Sequence, residues 1–139
     1  TEVDTITVGS LPEDIAITPD GTQAFVSNRG SGTVSVIDLA SRLVVQTIAV
    51  PNQPRGLAVS PDGSVVYVTR SSGASGNRVQ VIDRFSPPPT PVEVIVGANP
   101  FDVAFAPDGE VAYVANNGSG TVSVIDVLAN PPVVINTMP

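Results

Sequence analysis

The sequence predicts an all-β protein built from three copies of a four-stranded antiparallel sheet. A segment ending in Pro-Asp-Gly occurs three times, and the Pro-Asp-Gly units begin at positions 19, 61 and 107. Self-similarity at this spacing is typical of repeat proteins, in which neighbouring units bury each other's apolar faces. Hydrophobic residues make up 42% of the chain but aromatic residues only 4%. The core must therefore consist mainly of valine, isoleucine, leucine and alanine, and the β-branched residues among them favour strands.

The first repeat shows how each element is predicted. Residues 14–18 are the innermost strand, and the Pro-Asp-Gly turn follows because proline, aspartate and glycine each suit one turn position. Residues 23–27 form the second strand and residues 43–50 the fourth. Between them, residues 33–38 alternate polar and apolar side chains, which predicts a half-buried third strand. This strand recurs at residues 78–83 and 121–126. Alternation places one set of residues on one face (Val34, Val36, Val79, Val81, Val122, Val124) and another set on the opposite face (Ser35, Gln80, Ser123).

Four-stranded repeats of about 40–45 residues are the unit of β-propellers, in which each repeat is one blade. On this basis residues 1–139 form a single, partial propeller domain. Residues 1–10 are expected to be the outer strand of a preceding blade, and blades 1, 2 and 3 span residues 11–50, 51–97 and 98–139. Blade 2 carries two insertions, at residues 71–77 and 86–91. The second insertion is rich in proline and predicts a stiff polyproline-like loop.

Three motifs recur in the same order in each repeat. They are Pro-x-x-Ile/Leu/Val-Ala-x-x-Pro-Asp-Gly, then Tyr-Val-Thr-Arg at 67–70 or Tyr-Val-Ala-Asn at 113–116, and then Thr-Val-Ser-Val-Ile-Asp. The first repeat has Phe-Val-Ser-Asn at the second motif, and the second repeat has Arg-Val-Gln at the start of the third. Over nearly its whole length the chain resembles the YVTN β-propeller repeat family. The resemblance implies a propeller, often secreted or on the surface of bacteria and archaea, with no single activity.

The composition excludes several classes of function. The formal net charge is −7, so nucleic acid is not expected as a partner. No apolar run reaches the roughly 18 residues of a membrane helix, and no membrane insertion is expected. Histidine, cysteine and lysine are absent, which removes the commonest general base, thiolate chemistry and the Ser-His-Asp triad. No catalytic residue, metal site or cofactor is predicted.

The innermost strands should supply the centre of the core. Alternate residues of these strands are expected to be buried (Ile15, Ile17, Leu57, Val59, Val103, Phe105). The small residues between them should be buried as well, because the blades converge there (Ala16, Ala58, Ala104). Three blades are too few to close a ring, since propellers have at least about four. We therefore expect either a homodimer of six blades, with residues 1–8 pairing onto a neighbouring blade, or a piece of a larger propeller.

Two groups of polar residues recur at equivalent positions. Asp20, Asp62 and Asp108 are interpreted as turn residues, because a single carboxylate per loop is too little for a metal site. The loop entering the first strand and the loop between the second and third strands lie at the same end of a meander. We expect their residues to form a surface at the mouth of the central channel (Glu13, Asp14, Arg29, Arg55, Arg70, Phe101, Asp102, Asn116, Asn117). Such loops commonly carry function on a rigid scaffold, here a small ligand or another protein.

Two functions remain open from the sequence. The first is a non-enzymatic scaffold or protein-interaction module that is extracellular, on the cell surface or periplasmic and assembles into a ring. The alternative is a fragment of a larger propeller enzyme or cofactor-binding protein, whose catalytic residues lie in other blades or subunits.

Overall fold

The structure is a computed structural model that describes residues 1, 3–72, 76–86 and 92–139. The described residues form twelve strands: β1 Pro12–Ile17, β2 Gln23–Asn28, β3 Thr33–Asp38, β4 Leu43–Ala49, β5 Pro54–Val59, β6 Val65–Arg70, β7 Arg78–Asp83, β8 Val92–Ile95, β9 Pro100–Phe105, β10 Val111–Asn116, β11 Thr121–Asp126 and β12 Val133–Met138. Nearly all of the predicted polyproline-like loop lies outside the described residues, as does the middle of the first insertion. No helix in the described part of the chain is long and apolar enough to cross a membrane.

Each blade is an antiparallel meander of four strands in chain order, from β1 to β4, β5 to β8 and β9 to β12. The register is the same in the three blades. Phe25 lies opposite Ala16 and Val36, and Tyr67 lies opposite Ala58 and Val81. The predicted all-β fold of four-stranded blades is confirmed.

The blades stack face to face, and the core lies between the sheets. Blade 1 contributes Phe25, Val34 and Val36 to a cluster with Leu57 and Val66 of blade 2, and a second cluster joins blades 2 and 3 (Tyr67, Val79, Val81, Val94, Val96, Val103, Ala112, Val114, Ile125). Alternate residues of one strand therefore face different neighbours. The contact region between two neighbouring blades is called a seam. Valine, isoleucine and leucine side chains fill both seams, with few aromatic rings.

The third strands are not half-buried, which corrects the expectation from their alternating pattern. Ser35, Gln80 and Ser123 are only 2%, 3% and 0% exposed. The polar face is covered like the apolar one, and its hydroxyl groups are bonded within the sheet. The side-chain amides of Asn28 and Asn116 donate to the Ser35 and Ser123 hydroxyls over 2.9 Å in each case. Such pairing offsets the cost of burying polar groups.

The two end blades expose faces that are buried elsewhere in the stack, so part of the core prediction is wrong. Leu57 and Val103 are buried, but Ile15 and Ile17 are each 60% exposed, and Ala104 is exposed too. Val59, Phe105, Ala16 and Ala58 are half-buried. Among the described residues of this chain, no further blade covers Ile15 and Ile17 on blade 1 or Ala104 on blade 3. Burial of these equivalent positions depends on the neighbour, not on the repeat itself.

The segment before blade 1 is not the predicted strand: its described residues 3–8 form no strand. Ile6 and Val8 nevertheless pack against the Ala24, Val26 and Ile37 cluster of blade 1. Ile48 and Val50 occupy the corresponding place against blade 2. The segment thus lies where the outer strand of a preceding blade would lie. It lacks strand pairing because the third strand of that blade, which would bond to it, is not in this chain.

Candidate functional site

The three innermost strands begin with the same local distortion at one end of the stack. Leu11, Gln53 and Asn99, each followed by proline, have φ values of 50°, 56° and 49°. Directly after each proline the pairing register slips, so that the residues at 13, 55 and 101 are left out of the strand ladder. A bulge of this kind re-aims a side chain. It brings Glu13, Arg55 and Phe101 together at this end of the stack, which is called the mouth below.

Glu13 joins two arginines at this mouth. Its carboxylate lies 2.6 Å from Arg29 Nε and 3.8 Å from Arg55 Nη1. The Arg55 guanidinium in turn stacks over the Phe101 ring, with Cζ 5.0 Å from the ring centre. Blade 1 supplies Glu13 and Arg29, blade 2 supplies Arg55 and blade 3 supplies Phe101. Because the groups are partly exposed, its contribution to stability is modest.

The next residue of each strand sets how closely the blades approach. Asp14 accepts hydrogen bonds from the backbone N–H of Ile15 at 2.8 Å and of Leu57 at 2.9 Å, so it ties blade 1 to blade 2. Position 56 is glycine because a Cβ there would lie 2.6 Å from Asp102 Cα. Asp102 accepts the backbone N–H of Val103, at 2.8 Å.

Hydroxyl groups on the second strands of blades 1 and 2 bind the backbone of the mouth residues in the next blade. Ser27 donates to the carbonyl of Arg55 over 2.5 Å, and Thr69 donates to the carbonyl of Phe101 over 3.1 Å. Both accepting carbonyls belong to the next blade. The mouth residues of blades 2 and 3 are therefore held at their backbones by the preceding blade, which favours a preorganised site.

These residues enclose a cavity of about 310 Å³, lined by Glu13, Asp14, Arg55, Gly56, Phe101 and Asp102. Its wall combines three carboxylates, one guanidinium and an aromatic ring that is 47% exposed. No group of three or more acidic residues in the described part of the chain is placed to hold a metal ion. The cavity can offer carboxylate acceptors, the guanidinium N–H donors of Arg55 and the ring face of Phe101 to a small polar molecule.

The structure separates Arg70 and Asn116 from this group. Arg70 is 3% exposed, donates from Nε to the Pro51 carbonyl at 2.9 Å and forms an ion pair with Glu93. Asn116 is 1% exposed and is bonded within its blade. Both side chains are buried, and neither lines the cavity that contains Glu13, Arg55 and Phe101. Asn117 remains exposed and accepts from the Asn99 side-chain amide at 3.4 Å.

The aspartates of the Pro-Asp-Gly turns lie at the opposite end of the blades and bond within their own turns. Asp20 accepts from the Thr18 hydroxyl at 2.5 Å and from the Thr22 N–H at 3.0 Å, and these bonds hold its pKa well below the ordinary range. Bonds from Ser60 and Ser64 lower the pKa of Asp62 in the same way. Asp108 accepts the Glu110 N–H at 3.0 Å. The glycine after each aspartate has a positive φ of 70° to 76°.

Two charged residues with structural roles were missed by the sequence interpretation. Glu93 pairs with Arg70 and with Arg78 Nε at 3.1 Å, on the outer side of blade 2. Arg84 lies in the seam between blades 1 and 2. The available signal was that arginine occupies positions 70, 78 and 84 in blade 2 only, where the other repeats have uncharged residues.

Stacked four-stranded meanders, with innermost strands that open onto a common mouth, define a segment of a β-propeller. The sequence profile of the lactonase, 7-bladed beta-propeller family matches residues 3–87, more than half of the chain. The chain belongs to this family. The likeness to the YVTN repeat remains a resemblance of motifs. No curated protein sequence matches the chain.

Solved structures share the same architecture. The hydrazine synthase of Kuenenia stuttgartiensis is 31% identical over 96% of this chain, with a TM-score of 0.81. A functionally unknown protein from Desulfotomaculum acetoxidans is 24% identical over 91% of the chain, with a TM-score of 0.76. A Bacteroides fragilis protein provisionally assigned as a 6-phosphogluconolactonase is 22% identical over 88%, with a TM-score of 0.73. The last two likenesses show the fold alone. The chain covers 37%, 42% and 36% of these three structures.

Proposed function

We propose that the chain supplies three blades of a propeller and binds a small polar ligand at the channel mouth, without carrying out a reaction itself. The observation that supports this proposal is that the three carboxylates lining the cavity are all engaged in ion pairs or hydrogen bonds. Glu13 is paired with two arginines, and Asp14 and Asp102 accept backbone N–H groups. A general base needs a carboxylate that is free to take a proton from the reacting group. Here Asp14 and Asp102 accept backbone hydrogen bonds, and Glu13 balances the charge of the two arginines.

The lining favours a neutral molecule with several hydroxyl groups, such as a sugar. The exposed face of Phe101 can stack on the C–H face of a sugar ring. The carboxylates of Asp102 and Glu13 accept from hydroxyl groups, and Arg55 donates to them. An anion would meet three carboxylates in the cavity, so a phosphorylated or carboxylated ligand is disfavoured at this site.

Ligand titration with a matched pair of variants tests this site. A panel of monosaccharides is titrated against the chain by NMR, and binding is expected to shift resonances of mouth residues. Phe101→Ala should abolish these shifts, because it removes the stacking surface. Phe85→Ala is the control, since Phe85 is 69% exposed and lies at the other end of the blades. Sugar binding that survives Phe101→Ala, or no binding by any sugar of the panel, would reject the proposal.

A second candidate function is lactone hydrolysis by a larger propeller of which these blades are part. The family match favours it, since the family is named for lactonases. The proposed binding role predicts that this chain alone hydrolyses glucono-δ-lactone no faster than buffer. A rate above buffer that is lost in Glu13→Gln would establish the enzyme instead.

We also infer that further blades cover the two end faces. Ile15 and Ile17 on blade 1 and Tyr113 on blade 3 are exposed, whereas the equivalent residues between the blades are largely covered. A second copy of the chain would give six blades, while the rings of the family have seven. A solution mass near twice 14.2 kDa would favour the six-bladed homodimer. A monomer at micromolar concentration would exclude the homodimer. The proposed extracellular, surface or periplasmic location rests on the YVTN resemblance and is tested by cell fractionation.

A further inference from the structure

Arg84 fills the seam between blades 1 and 2 at the end that carries the Pro-Asp-Gly turns. Its side chain is only 6% exposed and its guanidinium joins both blades. Nη1 donates to the Gly63 carbonyl at 2.6 Å, and Nη2 donates to the Gln23 side chain at 3.1 Å. Nη2 also lies 3.4 Å from an Asp20 carboxylate oxygen. One guanidinium therefore satisfies acceptors on the turns of two neighbouring blades.

The next seam has the same walls but no such cation. Val127 occupies the position of Arg84, since the backbone N–H of each bonds to the carbonyl two residues after the turn aspartate, at 3.0 Å in both cases. Asp62 and Gly109 replace Asp20 and Gly63. The space between blades 2 and 3 is an open cleft of about 240 Å³ that Asp62, Asp108, Gly109 and Val127 line. Among the described residues, no cation forms an ion pair with Asp62 or Asp108.

A second, independent observation concerns Tyr67, which lines the same cleft. The tyrosine is 0% exposed, and its hydroxyl has no hydrogen-bond partner among the described residues. Buried hydroxyl groups normally have a partner, because leaving one unpaired is unfavourable. The seam does not need this group for packing, since phenylalanine, Phe25, holds the equivalent position in blade 1. A hydroxyl here fits a ligand that is absent from the chain itself.

We propose that the cleft between blades 2 and 3 binds a small organic cation, a guanidinium above all, whose head group takes the place that Arg84 takes between blades 1 and 2. Asp62 and the Gly109 carbonyl are the acceptors, by analogy with Asp20 and the Gly63 carbonyl. The Tyr67 hydroxyl accepts a further N–H. A planar fork of donors matches several fixed acceptors better than a primary ammonium does. The apolar side chains of Val65, Val81 and Val127 receive a short alkyl tail.

Calorimetric titration of the 139-residue chain with ethylguanidinium tests the proposal, with ethylurea as the neutral ligand of similar shape. Ethylguanidinium should bind at one site, and ethylurea at least about tenfold more weakly, the loss expected with one charge-assisted hydrogen bond. Equal affinity for the two compounds, or no binding of ethylguanidinium, would overturn the proposal.

A substitution that restores the missing arginine provides the sharper test. Val127→Arg should fill the cleft from within the chain, abolish ethylguanidinium binding and raise the thermal unfolding midpoint. Leu43→Arg adds the same charge on the outer strand of blade 1, where Leu43 is 63% exposed, and should leave binding unchanged. Unchanged binding in Val127→Arg would contradict the assignment.

Tyr67→Phe keeps the test decisive if Val127→Arg fails to fold, because blade 1 already carries phenylalanine at this position. The variant should bind ethylguanidinium several-fold more weakly, and full retention of affinity would count against the site.

Titration with a blocked arginine amide distinguishes two possible occupants of the cleft, a free small molecule and an arginine side chain of a partner protein. Binding of that amide about tenfold tighter than ethylguanidinium would overturn the small-molecule assignment.

Discussion

Replacing Tyr67 and Tyr113 by alanine, one at a time, compares the same residue at equivalent repeat positions. Tyr67 lies in the seam between blades 2 and 3, with its ring centre 4.8 Å from that of Phe105, and is 0% exposed. Tyr113 lies on the uncovered face of blade 3 and is 42% exposed. The two substitutions remove the same atoms from the same place in a strand. Any difference in cost therefore comes from the neighbouring blade.

The expected magnitudes follow from burial. A tyrosine buries about 150–250 Å² at about 25 cal/mol per Å², which gives roughly 4–6 kcal/mol as an upper bound. Measured truncations of buried aromatic residues cost about 3–5 kcal/mol, and we expect this loss for Tyr67→Ala. In the monomeric chain, Tyr113→Ala should cost about 1–2 kcal/mol, because over a third of the Tyr113 side chain already meets water and no cavity forms between sheets.

Equilibrium unfolding in urea measures both losses through the midpoint and slope of the transition. Domains of this kind are stable by only about 5–15 kcal/mol, so the Tyr67→Ala midpoint should fall clearly. A loss below about 1 kcal/mol for Tyr67→Ala would refute the seam assignment. Equal losses for the two variants would show that another blade or chain buries the Tyr113 face in solution.

Three further predictions use matched positions or pH. Ala58→Leu should destabilise the protein by about 1–3 kcal/mol by overpacking a seam, while Ala104→Leu, on the exposed face of blade 3, should change the urea stability of the monomeric chain by less than about 0.5 kcal/mol; an unchanged urea midpoint in Ala58→Leu would contradict the packing, and equal losses would show that another blade or chain covers Ala104. Because hydrogen bonds lower the pKa of Asp20 below 3.8, its stabilisation is present above pH 3.8 and lost as pH falls below it. Asp20→Asn should therefore lower the melting temperature at pH 7 more than Asp108→Asn does, and the reverse order would count against the turn assignment. Burial, aided by the charge of Asp126, raises the pKa of Tyr67 from 10.0 to about 12. Stability should decline between pH 10 and 12, and this decline should be smaller in Tyr67→Phe.

The strands could be predicted closely because each lies between strong local signals. The Pro-Asp-Gly turns fix where β1 ends and β2 begins, and β3 occupies residues 33–38 as predicted. The segment 1–8 was harder, because its sequence is that of an outer strand. Pairing of such a strand needs a neighbour that this chain does not contain, and no local signal reports that neighbour.

The grouping of residues at the mouth was predictable in part. Glu13, Arg55 and Phe101 occupy equivalent positions in the three repeats but differ in chemistry. This variation indicates that packing of the blades does not determine the residue type at this position. Arg70 and Asn116 were assigned to the same surface, since they end strands at that side. Their burial follows from hydrogen bonds and ion pairs across the sheet, and these partners are distant in sequence and carry no motif.

The sequence by itself determined the repeat, the four-stranded unit, the order of its turns and the alternation that divides each strand between two faces. These properties depend on residues close together in the chain. Only the tertiary structure decided which faces are covered, how Glu13 is shared between arginines, and that Arg84 fills one seam while the next stays open. Those outcomes depend on contacts between residues from different repeats. Equivalent residues such as Tyr67 and Tyr113 therefore have identical local sequence signals and different environments.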